Sequence, residues 1–191
     1  GYRLDPETLD TEGPEGWVPL DGISAHPKLD EATGELMFFN YSKHAPHLHY
    51  GVVDRDNRLT TYMPIPLAGP RLPHDMAITE HYSILNDMPL FWDAELLKKN
   101  VHAARLHKGI PSRFAIVPRH GGEVRWFEAT PTYVLHWVNA YEQGDEVILD
   151  GYFQEEPEPK PREDAPPGYA HMMAYLDEYS FKPKLHRWRF N

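Results

Sequence analysis

Three histidines stand at separate β-prone places in the chain, and imidazole is a side chain that binds transition metals. They are His26, followed by Pro27, then His74, preceded by Pro73, and finally His136. The chain has no cysteine, so any metal must be held by histidine, aspartate or glutamate. Successive histidines are 48 and 62 residues apart, which is close to one repeat unit and unlike the short spacing of a zinc finger. Histidines that come once per structural unit can converge on an axis.

The third histidine lies in a stretch that predicts a β-hairpin. Residues 130–142 and 146–153 are runs of β-branched and aromatic residues, and residues 143–145 have the composition of a turn. A polar ring inside an apolar strand is costly unless it is hydrogen-bonded or ligated. His136 is therefore either a satisfied core residue, the commoner case for a lone histidine, or a metal ligand.

The sequence around and between these histidines predicts an all-β fold, whose strands must position them. Short strand-like segments, separated by polar turns, occupy residues 36–41, 48–53, 59–63, 113–119, 124–128 and 184–190. The 19 prolines and 13 glycines suit such short strands, and residues 93–100 form the one plausible short helix in their half of the chain. The spacing of the hairpins favours a propeller over a sandwich. Residues 155–167 are predicted to be a surface loop and residues 168–180 a lid element.

The net charge and the lengths of the apolar runs limit the kinds of molecule that the protein is expected to bind. A net charge of −10 argues against nucleic-acid binding, because phosphate recognition needs clustered lysine and arginine. No apolar run approaches the ~18 residues that span a bilayer. We therefore expect no transmembrane segment, a cytoplasmic location, and at most peripheral contact with a membrane.

Five segments together resemble the carotenoid cleavage oxygenase family. They are the segments around the three histidines, residues 111–119 and residues 139–142. Their order and spacing are similar over nearly the whole chain. Residues 1–191 therefore look like an internal fragment of a single oxygenase domain of bacterial type, akin to carotenoid, apocarotenoid and lignostilbene dioxygenases.

The resemblance implies a seven-bladed β-propeller, of which this chain holds about half, with a non-haem Fe(II) on its axis held by four histidines. His26, His74 and His136 match the first three ligands. The fourth is expected beyond Asn191, and a glutamate that orients the ligands is expected before Gly1. The resemblance also implies an apolar conjugated substrate and dioxygen, with no organic cofactor and no catalytic side chain beyond the metal ligands. The isolated chain is expected to be inactive.

Other polar and aromatic residues are weighed beside the three histidines. Glu142 lies six strand residues from His136, about 20 Å at the usual rise per residue, and is not expected to share its metal. Asp75 is expected to be a structural hydrogen-bond acceptor. His47 and His49 either bind a metal as a pair or lie on an exposed edge. Four aromatic residues either line a substrate tunnel or pack between blades: Trp126, Phe127, Tyr133 and Trp137.

The leading hypothesis is a non-haem Fe(II)-dependent dioxygenase. It would cleave a conjugated C=C bond of a carotenoid, apocarotenoid or stilbenoid into two carbonyl products. The alternative is a non-catalytic β-propeller module that binds partners through exposed strand edges. The feature that separates the two is whether the three histidines converge on one point.

Overall fold

The computed structural model describes residues 1–92, 94–100, 104–155, 157 and 183–191. In these ranges the chain forms fifteen strands and one short helix, which confirms the all-β prediction. A small antiparallel pair, β1 (Tyr2–Leu4) and β2 (Thr11–Pro14), precedes three larger sheets. All strand pairs in the larger sheets are antiparallel.

The first large sheet is a meander whose strands follow one another in chain order. Its strands are β3 (Lys28–Asp30), β4 (Glu35–Tyr41), β5 (Leu48–Val53) and β6 (Leu59–Pro64). The last three match the predicted segments 36–41, 48–53 and 59–63. Four consecutive residues of β4 are buried, so both faces of this strand are covered.

The second large sheet is a meander with an inserted hairpin. Its spatial order is β12–β11–β8–β7, from β7 (Ala77–Ile78), β8 (Tyr82–Asp87), β11 (Ser112–Pro118) and β12 (Arg125–Ala129). Between β8 and β11 the chain forms a separate pair, β9 (Leu90–Trp92) and β10 (Ala104–Leu106), with the helix α1 (Ala94–Lys98) between them. The predicted short helix is thus confirmed.

The third large sheet contains the predicted hairpin. Its strands are β13 (Trp137–Gln143), β14 (Glu146–Phe153) and β15 (Lys184–Phe190). Gly144 adopts a positive φ of 60° in the turn, a conformation that glycine reaches without steric cost. The prediction that His136 lies inside the first strand is wrong, because β13 begins one residue later, at Trp137. The histidine stands at the entrance of the strand.

Alternation along the second sheet sends neighbouring side chains into two different cores. Leu85 on β8 packs in a core with the first sheet, whereas its neighbour Ile84 packs in a core with the third. On β11, Ala115 and Ile116 divide in the same way. The second sheet is therefore covered by the first sheet on one face and by the third on the other.

The three large sheets follow one another in chain order and pack face to face, as consecutive blades of a propeller do. The total of seven blades remains a prediction. The predicted lid at 168–180 and most of the predicted loop at 155–167 lie outside the described residues. Within the described ranges, no helix has the length and apolar character needed to cross a membrane.

Candidate metal centre

Each of the three predicted histidines lies just before the first strand of one large sheet. His26 stands two residues before β3, His74 three residues before β7, and His136 one residue before β13. These three strands are edge strands of their sheets, and β7 lies beside β13. Each of the three successive sheets thus carries one histidine at the same position, just before its edge strand. The repeat-like spacing predicts that such histidines come together.

The three rings form the three-histidine cluster (His26, His74 and His136). The Nε2 atoms of His26 and His74 are 3.0 Å apart. The ring centroids are separated by 4.7 Å for His26 and His74, 4.8 Å for His26 and His136, and 5.0 Å for His74 and His136. One ring nitrogen from each histidine lies within 4.8 Å of the others. The predicted convergence is confirmed, with His136 the most exposed of the three.

These dimensions suit a single first-row transition-metal ion. Imidazole nitrogens bind such ions at about 2.1 Å, so two ligands at a right angle are about 3.0 Å apart and two opposite ligands about 4.2 Å apart. The Nε2 atoms of His26 and His74 have the right-angle separation, and the 4.8 Å limit is only slightly wider than the opposite-ligand value. A set of imidazoles also suits iron, copper, nickel or zinc chemically.

Electrostatics favours the ligand form of the second histidine. Burial lowers the pKa of His74 below its ordinary value of 6.5, and the neighbouring His26 and His136 lower this pKa further. The carboxylate of Asp75 acts in the opposite direction but does not outweigh them. A metal binds the neutral imidazole, so proton competition at this ring is weak near neutral pH.

A tyrosine hydroxyl fixes the second histidine segment to the third. Tyr133, three residues before His136, donates its hydroxyl proton to the carbonyl of Leu72 at 3.0 Å. Leu72 lies two residues before His74. Burial raises the pKa of Tyr133 to about 12, so the hydroxyl keeps the proton that it donates.

A buried guanidinium joins the first and second sheets. Arg119 is 6% exposed, and its Nη1 donates to a carboxylate oxygen of Asp30 at 2.5 Å. Its Nη2 donates to the carbonyl of Thr79. Asp30 ends β3 and Thr79 follows β7, so this contact aligns the strands that leave His26 and His74.

Two acidic residues weighed from the sequence take the expected roles. Asp75 is buried and accepts a hydrogen bond from the backbone of Trp137, which confirms it as a structural acceptor. Glu142 accepts hydrogen bonds from Thr79 and from His81. Glu142 is not part of the three-histidine cluster, as predicted.

His47 and His49 have separate partners. His47 precedes β5, and its Nδ1 lies 3.3 Å from the carbonyl oxygen of Ser42. The ring of His49, within β5, stacks on Tyr62 with centroids 4.9 Å apart. In the described part of the chain, the three-histidine cluster is the one group that brings three such potential ligands together.

The four weighed aromatic residues mainly pack between sheets. Trp126 packs against the core between the first and second sheets, while Phe127 and Trp137 pack against the core between the second and third. Tyr133 packs against that second core and also lines a cavity. Of the four, Tyr133 lines this cavity, and a role in a substrate tunnel stays a prediction.

The cavity has a volume of about 340 Å³ and includes His136 in its wall. The other lining residues are mostly apolar: Leu90, Tyr133, Leu135, Tyr152, Gln154 and Pro183. Three of these lining residues are not predicted as site residues from the sequence: Leu135, Tyr152 and Gln154. One signal in the sequence could have identified Leu135, since this apolar residue directly precedes His136. In the fold, its side chain is 42% exposed.

Comparison with known proteins agrees with the resemblance in the sequence. The family model described as retinal pigment epithelial membrane protein matches residues 1–191. The pea carotenoid 9,10(9',10')-cleavage dioxygenase 1 is 37% identical over 131 residues, which cover 66% of this chain and 24% of that protein. Isoeugenol monooxygenase from Pseudomonas nitroreducens is 33% identical over 159 residues, covering 78% of this chain and 33% of that protein.

A crystal structure gives the same result for the fold. The lignostilbene dioxygenase of Pseudomonas brassicacearum superposes with a TM-score of 0.78 and 29% sequence identity, over 99% of this chain and 40% of that one. The chain thus spans between about a quarter and two fifths of the length of these relatives. Because the family model matches all 191 residues, the chain belongs to the family of retinal pigment epithelial membrane protein and the carotenoid cleavage oxygenases.

Proposed function

We propose that this chain is part of an iron-dependent oxygenase that cleaves a conjugated C=C bond into two carbonyl products. His26, His74 and His136 are the proposed ligands of a non-haem Fe(II), and a fourth imidazole comes from outside these 191 residues. The observation that carries the proposal is the convergence of three imidazoles, each delivered by the edge of a different sheet. Residues 1–191 then belong to a single seven-bladed propeller domain that is completed by the rest of the protein.

The residues of the cluster bind and orient the metal and take no proton-transfer role. When bound, Fe(II) supplies the redox chemistry with dioxygen that no amino-acid side chain provides. Three neutral imidazoles leave the charge of the ion uncompensated, unlike a site with a carboxylate ligand. Burial and the two neighbouring imidazoles lower the pKa of His74, which favours the neutral ring that a metal ion binds.

The cavity beside His136 supports a role in holding an apolar substrate. Its walls come from the segment before β13, from β14 and from β9, so three separate elements shape it. Apolar walls exclude water and bind a conjugated hydrocarbon through buried surface, at roughly 25 cal/mol per Å². The amide of Gln154 and the hydroxyls of Tyr133 and Tyr152 are the polar side-chain groups among the lining residues that accompany His136.

The named substrates of the relatives support a conjugated alkene as the substrate class. Those relatives act on carotenoids, on isoeugenol or on lignostilbenes, as their names say. We infer that this protein acts on a carotenoid, apocarotenoid or stilbenoid, with iron and dioxygen. A non-catalytic binding module is the weaker alternative, since convergence of the histidines is the feature that favours an enzyme over it.

Isotope-labelled turnover tests this function. The full-length protein, loaded with Fe(II), is incubated under ¹⁸O₂ with an apocarotenoid, a hydroxylated stilbene and isoeugenol in parallel. We expect one substrate to yield two carbonyl products, and ¹⁸O in both products identifies a dioxygenase. The variant His136→Ala is expected to lose turnover. The matched variant His186→Ala, which removes another exposed histidine of the third sheet, is expected to keep it.

Two results would refute the proposal. The first is oxygen-independent consumption, or no consumption, of all three substrates by the iron-loaded protein. The second is equal turnover by His136→Ala and the parent. Absence of consumption would leave the binding module as the better description.

A further inference from the structure

The carboxylate of Asp75 links all three segments that carry the cluster. This side chain is 3% exposed and directly follows His74. Its Oδ1 lies 2.7 Å from the Nζ of Lys28, and its Oδ2 accepts the backbone N–H of Trp137 at 3.0 Å. Lys28 stands two residues after the first histidine and Trp137 directly after the third. One buried side chain thus reaches the neighbourhood of every proposed ligand.

Further hydrogen bonds hold Asp75 itself in place. Its Oδ1 also accepts the backbone N–H of Met76 at 2.8 Å. Its carbonyl accepts the amide of Asn86 at 3.0 Å and the indole N–H of Trp137 at 3.4 Å. A buried carboxylate needs such partners and a counter-charge, which Lys28 supplies. The position of the carboxylate is therefore fixed from several directions.

The rings of the cluster lack outer hydrogen-bond partners in the described part of the chain. Apart from the Nε2 contact between His26 and His74, no group among the described residues hydrogen-bonds a ring nitrogen of the three histidines. In most metal sites such outer partners orient the ligating rings. Among the described residues, contacts between the three segments hold the rings together, and the Asp75 carboxylate reaches all three segments.

We propose that Asp75 is a positioning residue that sets the separation of the three imidazoles for metal binding. The proposal rests on the proposed function, since it concerns the same metal. Replacing the carboxylate with an amide removes the counter-charge of Lys28 and leaves a single oxygen for the N–H groups of Met76 and Trp137, which contact different oxygens of the carboxylate. The first and third histidine segments are then held less firmly to the second. Metal binding must therefore order the three imidazoles at a cost in affinity.

Cobalt titration of the full-length protein tests this role. The metal-free protein is titrated with Co(II), and the visible absorption of the bound ion reports both affinity and ligand geometry. We expect Asp75→Asn to weaken Co(II) binding by about 10- to 100-fold and to change the absorption spectrum. Lys28→Met, which frees only the first segment, is expected to have a smaller effect in the same direction.

A matched control separates positioning from general stability. Asp87 on β8 is also buried, at 5% exposure, and its two oxygens pair with Arg71, which lies before β7, and with Arg113 on β11. Asp87→Asn is expected to lower the melting temperature but to leave the Co(II) affinity within about twofold, because the partners of Asp87, Arg71 and Arg113, belong to neither the first nor the third histidine segment.

The outcomes separate failure of this proposal from failure of the proposed function. Parent-like Co(II) affinity in Asp75→Asn, or a loss no larger than in Asp87→Asn at equal thermal stability, overturns the positioning role. If Asp75→Asn does not fold, unchanged affinity in Lys28→Met overturns it instead. If the parent binds no Co(II), or if His74→Ala binds Co(II) as tightly as the parent, the proposed metal site fails and the positioning role fails with it.

Discussion

Gly151 occupies a place where one added methyl group would disturb the metal centre from a distance. It lies on β14 opposite Trp137, the residue that follows the third histidine. A Cβ at this position would lie 2.6 Å from Cε3 and 2.9 Å from Cζ3 of Trp137, and 3.3 Å from Cζ3 of Trp188. Substitution Gly151→Ala therefore forces the indole of Trp137 to move.

The size of the effect follows from these distances. Carbon atoms rest at about 3.5 Å or more from each other, so the ring or the strand must shift by roughly 1 Å. Overpacking of this kind costs about 1–3 kcal/mol of unfolding free energy, which lowers the melting temperature. The backbone N–H of Trp137 is hydrogen-bonded to Asp75, and Trp137 directly follows His136. We therefore also expect the metal affinity of Gly151→Ala to fall on the order of tenfold.

Two other glycines supply the controls. Gly51→Ala would place a Cβ 2.3 Å from Cζ of Phe38, so it should destabilise the first sheet without pressing on Trp137. Gly16→Ala meets no atom within 4 Å and should change stability by less than about 0.5 kcal/mol. Thermal unfolding and Co(II) titration of the full-length variants give both quantities. Equal loss of metal affinity in Gly51→Ala and Gly151→Ala, or unchanged affinity in Gly151→Ala, would refute the reasoning.

Three further predictions concern stability. Met76→Ala removes a fully buried side chain and should cost about 2–5 kcal/mol in urea unfolding; a loss under 1 kcal/mol would contradict the packing described. Tyr133→Phe leaves the carbonyl of Leu72 without its donor and should cost about 1–3 kcal/mol by the same assay, whereas a neutral result would mean that the hydrogen bond is replaced. The pair of His81 and Glu142 should couple most strongly between about pH 4.5 and pH 6.5. The hydrogen bond to Glu142 and its charge raise the pKa of His81 above the ordinary 6.5, so its contribution is complete below that pH and disappears as the pH rises through the raised value. Burial acts to raise the pKa of Glu142, but the hydrogen bonds that it accepts hold that pKa below the ordinary 4.5, so its contribution is lost as the pH falls through the lowered value. A double-mutant cycle with glutamine at both positions measures the coupling, and an undiminished coupling at pH 9 would contradict this assignment.

Much of the fold could be predicted from the sequence because its determinants are local. Alternating apolar residues and short polar turns predict β4, β5 and β6 nearly to the residue. The convergence of the histidines was also predictable, because one histidine per structural unit implies the same place in successive sheets. Local sequence patterns are thus enough to predict features that repeat along the chain.

The entrance to β13 could not be predicted, because contacts with distant segments determine it. The hydroxyl of Thr132 donates to the carbonyl of Gln154, and its N–H donates to the hydroxyl of Ser112. The carboxylate of Asp75 takes the N–H of Trp137. These partners are between 20 and 62 residues away in sequence and divert the chain from an extended path before the strand begins.

The role of Asp75 was likewise only partly predictable. The sequence suggested a structural acceptor, because Asp75 points to the face opposite His74 if the segment is extended. Its bonds to Lys28 and Trp137 depend on the packing of three sheets against one another. No local sequence pattern predicts that packing. The packing is what places the carboxylate of Asp75 in contact with the segments of His26 and His136.

The central claim, that His26, His74 and His136 together bind iron, is tested most directly by anomalous diffraction at the iron edge. Crystals of the full-length protein, prepared with one iron per chain, should give a single anomalous peak within bonding distance of one nitrogen from each of the three histidines. A peak that leaves any of the three outside bonding distance, or no peak from protein that carries stoichiometric iron in solution, would contradict the claim.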